Sequence, residues 1–304
     1  MVYRRLTSIA AVIMTVMSAW GTVRDNKHYV DYADMLGKVT GQLKGTLTKH
    51  PEYHIDSLRA HVVDDIKYGP IGSSKALKPK RTKHLSPEQV YNLCRRSTLV
   101  YGKMEHVPYI QGDSAFSNAS AVVLTPDGIC ATNYHVVADI VLRGALDYKV
   151  DSDIARFVMD CDGNAYPVTA VLSVDQVNDM AIIKVDPMGR TLTPASIGTD
   201  LNPGAPVYCL SNTTGNYFHF TDGQVSNCTR KADKRSGRTQ YIMDITADYG
   251  VGASGGPIYD DCGNLVGLVS STVSVYADPQ QGRNFQMAYK QTVPVFLISD
   301  LFPL

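Results

Sequence analysis

With 304 residues and 44% hydrophobic content, the chain can bury a large core, as one large domain or two of ordinary size. Its 29 basic and 29 acidic residues cancel. No net field is left to hold nucleic acid or an anionic membrane surface, so partners have to be argued from sites.

Arg4 and Arg5 precede a mostly apolar run over residues 6–17, and Ala19-Trp20-Gly21 offers small residues at the two positions a signal peptidase inspects. Residues 1–21 are therefore expected to be an export signal cleaved after Gly21, giving a secreted or periplasmic protein. The alternative is an uncleaved anchor, for which this run, broken by Thr7, Ser8 and Thr15, is short. No later segment is long and apolar enough to span a bilayer, so no stable membrane insertion is expected after cleavage.

Residues 22–85 form an N-terminal extension whose role the sequence does not declare. Val39, Gly41, Leu43, Gly45 and Leu47 alternate with polar residues, which predicts a short strand, while Gly37, Gly41 and Gly45 argue against a stable helix. The GxxxG spacing lies among Lys and Thr and does not suit a membrane dimer motif. Leu58, Val62 and Ile66 recur every four residues, after Asp56 as cap and before Gly69-Pro70 as stop, which predicts a short amphipathic helix. Five basic residues from Lys75 to Lys83, with Pro79 among them, read as a solvated linker or, second, a processing site.

Ser86-Pro87-Glu88-Gln89 starts a helix that carries Val90 and Leu93 and ends near Arg96, with a capping hydroxyl, proline at the first helical position and Gln89 reaching back. Short apolar runs then follow over 100–102, 119–124, 129–134, 157–161, 168–174 and 181–185, separated by turns such as Pro126-Asp127-Gly128 and Asp162-Gly163-Asn164. A second set covers 206–210, 218–226, 240–244, 256–259, 265–270 and 285–289, and a short helix near 293–301 closes the chain. Two sets of strands with turn signals predict an all-β fold.

Cys94, Cys130, Cys161, Cys209, Cys228 and Cys262 are an even count, which in an exported chain suggests disulfides, although spacing cannot choose among the connectivities. Reduced buried thiols are the alternative. None forms a CxxC pair, so no metal site is expected, and no cofactor motif is present.

Chemistry concentrates in three segments. Gly252-Ala253-Ser254-Gly255-Gly256-Pro257 puts a serine on a tight loop between small residues, where a substrate carbonyl can approach main-chain N–H groups. Gly252, Ala253 and Ser254 would supply an oxyanion hole, with the N–H groups of Gly252 and Ser254 as its donors. Thr132-Asn133-Tyr134-His135-Val136-Val137 places a histidine at the end of an apolar strand, and Asn178-Asp179-Met180 places a carboxylate at the start of another. Singly, each suits a turn, a structural histidine or a cap. Together, in the order His135, Asp179, Ser254, they form a Ser-His-Asp catalytic set.

These segments resemble those of the trypsin-like serine peptidases, most of all the bacterial high-temperature-requirement branch, whose histidine motif reads Thr-Asn-x-His-Val-Val. The resemblance covers about residues 86–304 and implies two packed six-stranded β-barrels, barrel one near 98–187 and barrel two near 195–291, with His135 and Asp179 on one wall of the cleft and Ser254 on the other. It implies an endopeptidase acting on peptide or protein substrates. Ser270 matches a position that supports the aspartate and pairs with the substrate backbone; Asp248, six residues before Ser254, matches the pocket carboxylate of trypsin. Ala253 stands where zymogens of the digestive enzymes keep an aspartate for the freed N-terminus, so that mode of activation is not expected. The resemblance also implies a Cys209–Cys262 bridge and, more loosely, Cys94–Cys228 and Cys130–Cys161. The sequence stops at Leu304, which leaves no room for the PDZ module that often follows in that branch.

Two other classes compete. A catalytically silent or chaperone-like protein would hold extended peptides on a sheet edge without cutting them. An esterase would share the chemistry, but the strand-rich pattern lacks the alternating helices of an α/β-hydrolase. Asn118, Asn212 and Asn227 open triplets that fit N-glycosylation acceptors in a host that glycosylates.

Overall fold

The computed structural model describes residues 29–146 and 152–304, so the export signal read over 1–21 lies outside the described part. Among the described residues no helix is long and apolar enough to cross a membrane.

Six strands close into a barrel in the order β1-β2-β3-β6-β5-β4: β1 (Thr98–Val107), β2 (Gly112–Val123), β3 (Ile129–Thr132), β4 (Asp153–Met159), β5 (Ala165–Asp175) and β6 (Met180–Val185). The other seven are β7 (Ser196–Ile197), β8 (Pro206–Thr213), β9 (Asn216–Ala232), β10 (Thr239–Ile245), β11 (Pro257–Tyr259), β12 (Asn264–Asp278) and β13 (Arg283–Pro294). Their order is β11-β8-β9-β10-β13-β12-β7, and β11 also pairs with β12. Six of them thus close on themselves, while β7 stands outside, parallel to β12. The two-barrel, mostly β architecture expected from the sequence is the one found. Only β7, two residues long, left no pattern to read.

Strands such as β1, β4 and β6 are buried on both faces, which is why they read as continuous apolar runs. Along β1, Leu99 and Tyr101 join a core with Ala121, Val158 and Ile183, whereas Val100 and Met104 join another with Phe157, Ile182 and, from the second barrel, Tyr259 and Leu268. The second barrel keeps its own core of Val207, Cys209, Ile245, Ala253, Ile258 and Val266.

The described extension is mostly helical from Tyr32 to Asp65. Helix α1 (Tyr32–Lys49) replaces the expected strand over 39–47. Val39, Leu43 and Leu47, four apart, are its buried stripe. Gly37, Gly41 and Gly45 look onto open space, so the glycines that made the segment seem to alternate contribute nothing to the buried face. Their propensity cost, about 1 kcal/mol each, is outweighed by burying that stripe, at about 1.5–3 kcal/mol for each large side chain. Gln42 then fixes the register by donating to Gly163 O (2.9 Å) and accepting from Ala165 N (3.1 Å) at the β4–β5 turn. Helix α2 (Ile55–Asp65) forms where the four-residue period placed one, but its cap position is His54, with Asp56 in the first turn. Ile55, Leu58 and Val62 share a core with Val136, Val137 and Ile140.

The basic stretch read as a solvated linker is a docked strap. Ile197 N donates to Lys78 O (3.0 Å), and Asn264 clamps the Arg81 backbone from both sides, accepting from its N–H (2.7 Å) and donating to its carbonyl (3.0 Å). Leu85 N reaches Asp261 O (2.8 Å). Helix α3 (Pro87–Cys94) starts with the capping box expected of Ser86 and Gln89.

All six cysteines are unpaired, which corrects the implied bridges. Cys209 faces the second barrel's core, opposite Ile258, while Cys262 lies in the turn beyond β11. There its sulfur lies beside His84 Nδ1 (3.9 Å) and Asp261 Oδ1 (3.7 Å), away from the core that Cys209 faces. Cys130 is enclosed in barrel one, where burial lifts its thiol well above the ordinary range.

Candidate active site

His135 is not at a strand end. Strand β3 stops at Thr132, and a helix, α4 (Tyr134–Leu146), begins one residue before the histidine. Val136, Val137 and Ile140 turn inward onto α2, leaving the His135 ring, 48% exposed, at the mouth of the helix.

Asp179 sits immediately before β6 in a left-handed backbone conformation (φ 54°). Its carboxylate accepts the His135 backbone N–H (3.0 Å), lies 2.9 Å from His135 Nδ1 through each oxygen, and accepts the Ser270 hydroxyl (2.6 Å). Asn133 holds the same residue from the other side, donating from Nδ2 to Asp179 O (2.8 Å). With Nδ1–H directed at the carboxylate, Nε2 is left as the acceptor, and it faces Ser254 Oγ at 2.9 Å.

Ser254 comes from the other barrel, and two glycines let it reach this far. Gly255 (φ 77°) lies so close to barrel one that a Cβ would stand 2.3 Å from Thr132 Oγ1 and 2.4 Å from Ser120 O. Gly252 (φ 91°) lies against β8, where a Cβ would stand 2.7 Å from Asn212 O. Ser120 N donates to Ser254 O (2.7 Å), joining the barrels at the serine itself.

The serine loop has a defined polarity. Val251 O accepts from Thr214 N (2.8 Å) and Ala253 O from Gly256 N (2.8 Å). In a planar trans peptide the N–H points opposite to the carbonyl, so the N–H groups of Gly252 and Ser254 turn away from these partners. Among the described residues neither has an acceptor, whereas Ala253 N donates to Gly250 O (3.1 Å).

Two residues of this site carried no readable signal. Buried Ser120 accepts from Asn212 N (3.1 Å) and Nδ2 (3.0 Å) and donates to Gly252 O (3.2 Å). Asn212 also donates to Leu99 O (2.8 Å) and accepts from Phe218 N (3.0 Å). Read as a glycosylation acceptor, Asn212 is instead buried and fully bonded, with no room for a sugar. Asn118 and Asn227 are exposed.

Asp248 does not join the group. Its side chain is 81% exposed and pairs with Lys290 Nζ at 2.7 Å, and that bond holds its carboxyl below the ordinary range. Tyr249 takes the inward direction, buried, with its hydroxyl donating to the carbonyls of Ser271 (2.9 Å) and Gln291 (2.8 Å). Beside His135 opens a cavity of 410 Å³ lined by charged groups, among them Lys103, Glu105, Asp139 and Arg143.

Residues 119–268 match the family model described as a trypsin-like peptidase domain. Among curated proteins, the chain is 30% identical over 151 residues to Protease Do-like 5, chloroplastic, of Arabidopsis thaliana, covering 48% of this chain and 45% of that protein. It is 26% identical over 211 residues to the mitochondrial serine protease HTRA2 of Drosophila pseudoobscura pseudoobscura, covering 67% of this chain and 46% of that one. The chain thus spans less than half the length of these relatives. Among solved structures, Deg5 superimposes with a TM-score of 0.51 at 22% identity, covering 69% of this chain and 88% of that one. The HtrA-type protease AlgW with a decapeptide does so with a TM-score of 0.53 at 19% identity, over 70% and 65%. Residues 119–268 thus resemble a trypsin-like peptidase domain, and over about half to two thirds of its length the chain is similar to the Do-like and HtrA serine proteases.

Proposed function

We propose that the chain is an exported serine endopeptidase. Ser254 attacks the scissile carbonyl while His135 takes its proton through Nε2; collapse of the tetrahedral intermediate leaves an acyl-enzyme, and His135 returns the proton to the leaving amine. Water then repeats the sequence to release the acyl product. Asp179, supported by Ser270, holds the imidazole in the required tautomer and stabilises its cation. The N–H groups of Gly252 and Ser254 receive the oxyanion. The observation that carries this reading is the continuous chain of contacts from Ser270 through Asp179 and His135 to Ser254, with both neighbouring N–H groups left free.

Export is supported by the basic and then apolar stretch over residues 4–17. A preference for cationic side chains draws no support from Asp248, which is already neutralised by Lys290 and open to water.

A fluorophosphonate probe read by intact mass tests the chemistry. Wild type is expected to label at one site and Ser254→Ala not at all. Gly252→Ala adds a Cβ against Asn212 O at a positive φ and so displaces one oxyanion donor; its labelling rate should fall by about 10²-fold. A folded wild type that takes up no probe, or a Ser254→Ala variant that still does, would sink the proposal.

A further inference from the structure

We propose that His84, Asp261 and Cys262 form a binding site for a transition-metal cation of the zinc type, which staples the N-terminal strap to the second barrel. The three residues come from two distant places in the chain. His84 lies at the end of the strap, and Asp261 and Cys262 lie in the turn between β11 and β12. Their ligand atoms all lie within 4.8 Å of one another.

The donor set and its spacing suit such an ion. The Cys262 sulfur is 3.9 Å from His84 Nδ1 and 3.7 Å from Asp261 Oδ1, and His84 Nδ1 is 2.7 Å from Asp261 Oδ2. Ligands at ordinary zinc bond lengths in a tetrahedron stand about 3.3–3.6 Å apart. The sulfur needs to move inward by a few tenths of an ångström, and the His84–Asp261 hydrogen bond opens to admit the cation. One thiolate, one imidazole and one carboxylate select zinc or cobalt over magnesium or calcium, which take oxygen ligands. Water supplies the fourth position. Uptake displaces the thiol proton.

The framework behind the ligands is rigid, which lowers the cost of gathering them. Asp260 Oδ1 accepts from the backbone N–H groups of Cys262 (2.9 Å) and Asn264 (2.8 Å), and its Oδ2 accepts from Asn264 Nδ2 (2.8 Å). Asn264 in turn clamps Arg81, and Asp261 O accepts from Leu85 N (2.8 Å), one residue beyond His84. The exposed His84 ring gives the ion a way in from solvent. The site requires Cys262 as a free thiol, which is how it stands here.

Titration of the full chain with cobalt(II) tests this. Wild type is expected to bind one equivalent with the near-ultraviolet charge-transfer absorption of a cobalt–thiolate bond. Cys262→Ser should lose that absorption, His84→Ala should bind at least tenfold more weakly, and Cys228→Ser, which removes an exposed thiol elsewhere, should match wild type. Zinc at hundredfold excess over its Kd should raise the Tm of wild type by roughly 5 °C and leave that of Cys262→Ser unchanged. No thiolate absorption in wild type, its survival in Cys262→Ser, or its loss in Cys228→Ser would each overturn the proposal. Because none of these readouts depends on turnover, they stand or fall apart from the peptidase reading.

Discussion

Replacing Ser254 by alanine is expected to lower kcat on a peptide substrate by about 10⁴–10⁶-fold, His135→Ala to do nearly the same, and the double variant to lose no more than either alone. The last outcome is the diagnostic one. In the proposed mechanism His135 Nε2 acts only by moving the proton of Ser254 Oγ, 2.9 Å away, so once the serine is gone the histidine would have nothing left to accelerate. Asp179→Ala should cost less, about 10⁴-fold, since the imidazole survives and only its orientation and the partner of its cation are lost. Ser270→Ala removes one of the donors on that carboxylate and should cost less again. Residual activity of the double variant would come from the oxyanion donors and substrate binding. Additive losses, or a Ser254→Ala variant within a hundredfold of wild type, would mean that turnover takes another route.

How much of this was legible follows from where each residue's partners lie. The serine loop could be read because its glycines are forced: Gly252 and Gly255 must let a loop of one barrel press on β8 and on the other barrel, and no other residue fits. Ser270 could be read through the family pattern. Ser120 and Asn212 could not. Each is a common polar residue whose importance arises when β2 and β8 meet across the interface, and a triplet such as Asn212-Thr213-Thr214 looks the same buried or exposed. Helix α1 was missed because glycines at 41 and 45 mimic a two-residue period on top of a four-residue one. Helix α4 was missed because β-branched Val136 and Val137 continue an apolar strand in sequence and turn into a helix in space. The bridges fail for a related reason. The position of a cysteine in the family pattern does not say which way its side chain points, and Cys209 and Cys262 face different surroundings.

Replacing Asp153 by alanine should destabilise the protein by about 3–5 kcal/mol, read as a fall in Tm of about 10 °C, and it is the most direct test of what the extension does. Asp153 is 3% exposed and gathers three guanidinium groups from three elements: Arg59 of α2 (2.5 Å), Arg143 of α4 (3.0 Å) and Arg156 of its own strand (3.0 Å). Asp139 of α4 takes a second contact from Arg156 (2.5 Å). Without the carboxylate, those cations face one another with Arg156 buried and only Asp139 to balance it. Arg59→Met should cost less, because Asp153 keeps Arg143 (3.0 Å) and Arg156 (3.0 Å) as partners and is not left as an unpaired buried charge. Burial works to raise the Asp153 carboxyl, but Arg156 and Arg59 outweigh it and hold its native pKa below the unfolded value, which is about 3.9. Its stabilisation is therefore complete above that pH and is lost as pH falls through the native value. The Tm gap between wild type and Asp153→Ala should accordingly close on acidification below about pH 4. Because α4 presents His135 at its first turn while its flank is held by this cluster, partial loss of activity is expected to accompany the loss of stability. A variant melting within 2 °C of wild type at neutral pH, or a gap that widens in acid, would show that α2 is not held on the barrel by charge and that its apolar stripe of Ile55, Leu58 and Val62 suffices.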